Sequence, residues 1–385
     1  MDISDKKIAV CTHYLAYGGP QALRDFLIQK KAGTISFIGL PLFPSAQNCS
    51  FFEKTSGGKT ATISKNCLST GISFVDYLLQ FFLELKFIYK TNDKYDLFVG
   101  ADPLNAFAGI LLKKAGKTRK TIFYTIDYVP RRFDNFFLNR IYRFLDRFCV
   151  KHSDETWTVS QRIISARKDF NQIPAGRQKV VPIGVWPKKV HVLPFSKVNR
   201  FQLIFIGYLV ETQGLQSVID AVPLILRKIP RFSFKIVGDG EYAPVLKKKV
   251  ADLGLERSVV FTGWKQRSEL DEIIPKSALA IAPYKLHNEQ GDVSLTFFAD
   301  PTKIKDYLSA GVPVLLTSVP HNASEIQKSG CGKIIVSNPK SIAAAVIEFL
   351  KNEEKLKNAR KNALNYANKY DWNDIFETAL KPPTL

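Results

Sequence analysis

The chain has 385 residues, 45% apolar and 23% charged, which is more than one core usually encloses, so two domains are expected. Its net charge is +20, and residues 1–190 hold 29 Lys/Arg against 15 Asp/Glu, which places the electropositive surface in that half. Such a surface favours an anionic partner, and with no recognised nucleic-acid module present the expectation is acidic lipid or a phosphorylated acceptor, and no nucleic acid.

Five cysteines (Cys11, Cys49, Cys67, Cys149, Cys331) are scattered and form no Cys-x-x-Cys pair. That argues against disulfides and zinc and for a reducing compartment. No apolar signal region precedes Lys6-Lys7, and the longest apolar run, Ile72 to Tyr89, contains Asp76, Glu84 and Lys86. It reads as an amphipathic helix rather than a membrane span. A cytoplasmic protein is expected, with peripheral contact to the inner face of the membrane through its basic half.

The apolar run Lys7–Val10 leads through a loop carrying Gly18 and Gly19 into a helical pattern from Pro20 to Lys30. Strand, glycine loop and helix bring backbone close to a ligand at the carboxyl edge of a parallel sheet; a plain tight turn fits the same residues. The spacing is not Gly-x-Gly-x-x-Gly, which disfavours nicotinamide and flavin dinucleotides. After the strand Thr34–Gly39, the segment to about Ser69 reads as irregular, either shaping an acceptor site or forming a mobile insertion, with mobility the favoured reading. The helix Ile72–Tyr89, strand Asp96–Val99, helix Leu104–Ala115 and strand Thr121–Tyr124 then alternate as in a parallel sheet.

Asp127, Tyr128, Arg131 and Arg132 stand just past that last strand. Asp127 could accept a hydroxyl proton or orient a sugar, and the arginines could meet phosphate; a helix cap beside solvated arginines fits equally. The helix Phe136–His152 aligns Arg140, Arg143, Arg147 and Lys151 on one face. Its apolar side, Phe137, Ile141, Phe144, Leu145 and Phe148, is expected to pack on the sheet and leave the basic stripe for anionic headgroups. Pro182, Pro187 and Pro194 with Lys188-Lys189 mark a linker.

A second alternation follows, with Gly207 after the strand Leu203–Ile206, Gly238-Asp239-Gly240 after Phe234–Val237, and Thr262-Gly263-Trp264 after Val259–Phe261. It ends in Asp300-Pro301-Thr302-Lys303-Ile304-Lys305-Asp306, which reads as a helix start with Asp300 as N-cap, Pro301 at the first helical position and Gly311 as the left-handed stop. Open first-turn amides and the positive end of the dipole make a seat for phosphate, to which Lys303 adds a charge. Asp306, one turn on from Thr302, could accept hydrogen bonds from vicinal hydroxyls such as a ribose's. A capped surface helix is the plainer alternative.

In this order the motifs resemble those of retaining glycosyltransferases of the GT-B fold, specifically glycosyltransferase family 4, most closely from about residue 202 to 380. The resemblance implies an α/β protein of two facing Rossmann-like domains with a deep interdomain cleft. Residues 1–190 would bind the acceptor, residues 197–369 the nucleotide-sugar, and a C-terminal helix near 370–385 would pack back on the first domain. The implied reaction moves a sugar, a hexose in type, from a nucleotide-sugar to a glycan or lipid-diphosphate acceptor with retention and no metal or other cofactor.

The implied donor contacts are Gly207, Tyr208 and Gln213 in the first loop and Gly238, Asp239 and Gly240 in the second. Thr262, Gly263 and Trp264 would lie by the base, and Asp300, Pro301, Thr302, Lys303, Ile304 and Asp306 would hold diphosphate and ribose. Gly18, Gly19, Asp127, Tyr128, Arg131 and Arg132 would face the acceptor, and Asp127, Lys303 and Asp306 would act in catalysis. Three departures stand out. The family's arginine and lysine in the first loop are here Tyr208 and Gln213. Its paired glutamates fall at Phe298 and Asp306, leaving Asp300 or the Asn288–Ser294 loop to meet the sugar. Its N-domain histidine is replaced by Asp127. Alternatives that keep the fold are a nucleotide-sugar epimerase and a non-catalytic relative that binds membranes or anions.

Overall fold

The computed structural model describes residues 3–14, 17–42, 48–67, 69–71 and 73–381. Leu15 and Ala16 of the first glycine loop, residues 43–47 of the expected insertion, Ile72 at the expected helix start and the chain end from 382 lie outside them. The chain divides into two compact units, Met1–Ile183 with Trp372–Leu385, and Gly184–Asp371.

The first unit builds an eight-stranded sheet. Its strands are β1 (Lys7–Tyr14), β2 (Thr34–Pro41), β3 (Ser50–Ser56), β4 (Lys59–Asn66), β5 (Tyr95–Ala101), β6 (Thr118–Thr125), β7 (Glu155–Thr158) and β8 (Gln178–Val180). They lie in the order β4-β3-β2-β1-β5-β6-β7-β8. Central β1 is buried on both faces from Ile8 to Cys11, as a parallel strand covered by helices must be. The covering helices include α1 (Gly19–Gln29), α2 (Ser73–Lys90), α3 (Pro103–Lys114), α4 (Phe136–His152) and α5 (Gln161–Asn171). The final helix, Trp372–Leu380, returns to this unit, where the rings of Phe376 and Phe26 lie 5.5 Å apart.

Two expectations are corrected here. The supposed mobile insertion contains an antiparallel hairpin, β3 and β4, turned at Gly57-Gly58 and paired to β2 through β3. An edge strand with no buried face needs no apolar alternation, and β4 is almost wholly exposed, so its pattern was mute. The disulfide Cys49–Cys67 closes the hairpin's open end, against the expectation of reduced cysteines. Ser50 pairs with Asn66, and this register sets the flanking positions 49 and 67 side by side. Cys11, Cys149 and Cys331 are free and buried.

The second unit is a six-stranded, all-parallel sheet of β9 (Asn199–Ile206), β10 (Ser233–Val237), β11 (Val259–Phe261), β12 (Ser277–Ala282), β13 (Val314–Leu316) and β14 (Gly332–Ile334). The order β11-β10-β9-β12-β13-β14 reverses direction between β9 and β12. Ligands of such sheets collect beyond the carboxyl ends at that switch point. Its helices are α6 (Leu215–Leu226), α7 (Ala243–Asp252), α8 (Arg267–Ile273), α9 (Leu295–Phe298), α10 (Thr302–Ser309), α11 (Ala323–Lys328), α12 (Pro339–Lys351) and α13 (Glu353–Asn368). Among the described residues no helix is long and apolar enough to cross a membrane.

The Cys49–Cys67 link spans 18 residues of sequence, for which loop-closure entropy gives roughly 3 kcal/mol. Cys49→Ser should therefore lower unfolding stability by about that amount, and peptide mapping without reductant should recover the 49–67 pair. Equal stability with and without reductant, together with free thiols at both positions, would overturn the assignment.

Candidate active site

At the carboxyl edge of the second unit the glycine turns are stitched backbone to backbone. Gly207 N–H donates to Val237 O (3.0 Å), Leu209 N–H to Asp239 O (2.9 Å) and Gly238 N–H to Gly263 O (2.9 Å). Gly238 has φ +133°, and a Cβ there would stand 2.0 Å from Gly207 O, so any side chain would push the loops apart. The edge is thus lined by main chain.

Helix α10 is pinned against this edge by Tyr307, whose buried hydroxyl accepts from Ile206 N–H at 2.7 Å. The pin brings the ammonium of Lys303 to Gly207, where a Cβ would meet Nζ at 2.4 Å. Lys303 as a residue is half-buried, but its ammonium is enclosed, 4.1 Å from the Phe205 ring centroid and 5.4 Å from that of Tyr284. It donates to Gln213 Oε1 at 2.8 Å. With an uncharged partner, burial pushes its pKa down to about 7. Pro301 offers no side-chain cap to α10; Ile304 N–H turns back to Pro301 O at 3.2 Å, and the N–H groups of Thr302 and Lys303 bond no described residue.

Asp300 does not cap this helix, contrary to expectation; Pro301 holds that position. The Asp300 carboxylate is instead buried with Lys305, 2.7 Å away, and His321, 3.3 Å away. Burial alone would raise its pKa, but Lys305 and His321 hold it below the ordinary carboxylate range. Asp300 is therefore committed inside the unit and is not placed to meet a sugar. The side chain of Ile304 is also buried, in the core under the sheet, which removes it as a ligand contact. Asp306 is buried as well, and Arg267 of α8 reaches its Oδ1 at 2.7 Å. Burial raises the Asp306 pKa, opposed by that guanidinium. Arg267 was missed in the sequence because no motif includes it. Tyr208 and Trp264 are exposed, as is Asp239, whose carboxylate accepts from Gly240 N–H. Thr262 is half-buried.

In the first unit, Asp127 is exposed beyond β6, whose last residue Thr125 accepts from the buried Arg167 at 2.7 Å. Because it is open to solvent, the upward push of the surrounding protein on its carboxyl, opposed by Arg132, is weak. Tyr128 is fully buried under the Arg167 guanidinium, so its ring belongs to the core and not to an acceptor surface. Arg131 and Arg132 are exposed. Gly18 precedes α1, and Gly19 opens it where a Cβ would meet Tyr124 Oη at 2.6 Å. Sequence reading also missed His13, which bonds Asp102 (2.6 Å) and Gln80 (2.9 Å) at the β1/β5 switch point.

Residues 193–366 match the family model described as Glycosyl transferases group 1. The chain is similar to the uncharacterized glycosyltransferase MJ1607 of Methanocaldococcus jannaschii, with 28% identity over 57% of this chain and 56% of that protein. It is also similar to the amylovoran biosynthesis glycosyltransferase AmsK of Erwinia amylovora, with 24% identity over 37% of this chain and 34% of that one. The chain spans about half the length of these curated relatives, or less. Among solved structures it is similar to Anabaena Alr3699/HepE in complex with UDP, with TM-score 0.67 and 14% identity over 97% of this chain and 98% of that one. The architecture, two Rossmann-like units, is the GT-B fold.

The enclosed ammonium generates a direct measurement. In protein labelled with 13C at lysine Cε, the Lys303 signal should titrate near pH 7, charged below and neutral above. Gln213→Glu would place a carboxylate on Nζ and move that midpoint up by at least about one unit. A midpoint at or above about 10 in the unsubstituted protein would show that the site is not enclosed.

Proposed function

We propose that this protein is a retaining, metal-independent glycosyltransferase of family 4 that moves a hexose from a nucleotide-sugar to a glycan or lipid-diphosphate acceptor in polysaccharide or glycolipid assembly. The observation that carries this reading is the enclosed Lys303 ammonium beside the uncapped start of α10, at the switch point of a group 1 glycosyltransferase domain. Glycosidic cleavage leaves new negative charge on the diphosphate. A preformed cation and open amides stabilise that charge where it develops. In the step proposed, the sugar C1–O bond to the diphosphate breaks, a bond from C1 to the acceptor oxygen forms on the same face, and the leaving diphosphate takes the acceptor's proton. Asp306 would hold the ribose, Trp264 would lie beside the base, and Asp127 would orient the acceptor.

The similarity to AmsK, an amylovoran biosynthesis glycosyltransferase, and to HepE, solved in complex with UDP, supports this choice of chemistry. Diphosphate binding would also restore the proton to Lys303, so affinity should fall as pH rises above about 7. Nucleotide-sugars should be screened for turnover with EDTA present. Lys303→Ala and Asp306→Ala should each lose at least about tenfold in rate. Unchanged kinetics in both variants would remove the donor-site assignment, and epimer formation without nucleotide release would point to the epimerase reading.

An anionic membrane is proposed as a second contact of the first unit. Phe136, Phe137, Ile141 and Phe144 of α4 are 65%, 73%, 49% and 64% exposed, next to Arg140 and Arg147. The expected packing of Phe137, Ile141 and Phe144 on the sheet is thus corrected, and the helix offers both apolar side chains and cations to an acidic lipid surface. Vesicles containing phosphatidylglycerol should float the protein at low salt, and the double variant Phe137→Ser, Phe144→Ser should reduce the bound fraction severalfold. No bound fraction with the unsubstituted protein would remove the membrane contact.

A further inference from the structure

The buried carboxylate of Asp306 has a partner from outside its motif. Arg267, the first residue of α8, reaches Asp306 Oδ1 through Nη1 at 2.7 Å, while its Nε is held 3.1 Å from Asp271 one turn along its own helix. The guanidinium is a planar fork, so fixing Nε fixes the direction of Nη1. Asp306 Oδ2 has no bond to any described residue. The two oxygens of this carboxylate therefore differ, one clamped by Arg267 and the other without a bond to a described residue.

The position of the clamp matters. Arg267 follows Trp264 by three residues, so it joins the turn after β11 to the middle of α10, and Asp306 lies three residues beyond Lys303. A carboxylate on so short a side chain has few rotamers, and an arginine on one oxygen selects among them. It also opposes the upward push of burial on the Asp306 pKa.

We propose that Arg267 is a positioning residue for the donor, clamping Asp306 Oδ1 so that Oδ2 alone is presented to the vicinal diol of a nucleotide ribose. This rests on the nucleotide-sugar reading given above. A single presented oxygen makes recognition sensitive to the loss of one hydroxyl, because an unpaired acceptor in a buried setting is costly. The plain alternative is a strut between α8 and α10, which would hold the fold and leave ligand selectivity untouched.

The test is calorimetric affinity for UDP, ADP and GDP, and for the 2′-deoxy and 3′-deoxy forms of whichever binds tightest, in the full chain. The unsubstituted protein should bind the ribonucleotide about tenfold or more tightly than at least one deoxy form. Arg267→Ala should bring that ratio to within about threefold, and Arg267→Lys, which supplies charge without the fork, should restore it only in part. Combining Arg267→Ala with Asp306→Asn should cost no more selectivity than either alone, since both act on one contact. If Arg267→Ala fails to fold, Arg267→Lys and Arg267→Gln carry the comparison. If the unsubstituted protein binds no nucleoside diphosphate, the nucleotide reading fails and this inference falls with it. If it binds and selects, but folded Arg267 variants keep the same ratio while melting at a lower temperature, Arg267 is a strut and only this inference is overturned.

Discussion

An enclosed ammonium whose hydrogen-bond partner is an uncharged amide is the constraint on which the second unit's carboxyl edge depends. Isolated, desolvated Lys303 costs on the order of a few kcal/mol, seen as the fall of its pKa to about 7. Three features make the arrangement sustainable. Gly207 leaves the space that Nζ fills, the faces of Phe205 and Tyr284 present negative π density to the cation, and Gln213 supplies one acceptor. The Tyr307 hydroxyl on Ile206 N–H then keeps α10 from drifting away from β9.

The two lysines of the motif differ in how each enclosed charge is met. Lys305 is fully buried, but it bonds Asp300 at 2.7 Å and lies 4.0 Å from the Tyr370 ring centroid. Breaking such a pair costs roughly 3–5 kcal/mol because the remaining charge is stranded, which marks it as a fixture of the core. Lys303, two residues away, meets no carboxylate among the described residues and bonds the uncharged Gln213 instead. Gln213 belongs to the same logic. A lysine at that position would set a second cation against Nζ, whereas the amide oxygen holds Lys303 in place. The exchange that looks like a missing charge in the sequence is, in the structure, the partner of the charge that remains.

The strand–helix alternation, the parallel order and the position of the glycine turns were legible because parallel strands such as Ser277–Ala282 are buried on both faces and read as apolar runs. The bounds of α10 were legible for a related reason, since Pro301 marks the helix start and Gly311 its end. Asp300 was misjudged because an aspartate before a proline is an excellent cap locally, and only tertiary packing brings Lys305 and His321 to it. Arg267 and His13 were silent, since each gains its role from a partner 39 and 89 residues away. The Cys49–Cys67 link was silent because the hairpin register, not cysteine spacing, creates it.

Helix α4 inverts the usual amphipathic arrangement, and the reason lies beneath it. Its buried residues are Tyr142, Asp146, Cys149 and Val150, and Asp146 takes two bonds from the buried Arg167, at 2.5 and 3.0 Å. That pair also binds Thr125 through Arg167 and so shapes the strand end from which Asp127 projects. A helix rotated to bury Phe137 and Phe144 would carry Asp146 out and strand Arg167, a loss of several kcal/mol. Burying two phenylalanines would return roughly 1.5–3 kcal/mol each, but the same rotation would also expose Tyr142, Cys149 and Val150, which tips the balance to the ion pair. The phenylalanines stay outside because the Asp146–Arg167–Thr125 network occupies the inner face, which leaves an outer surface that is apolar and cationic.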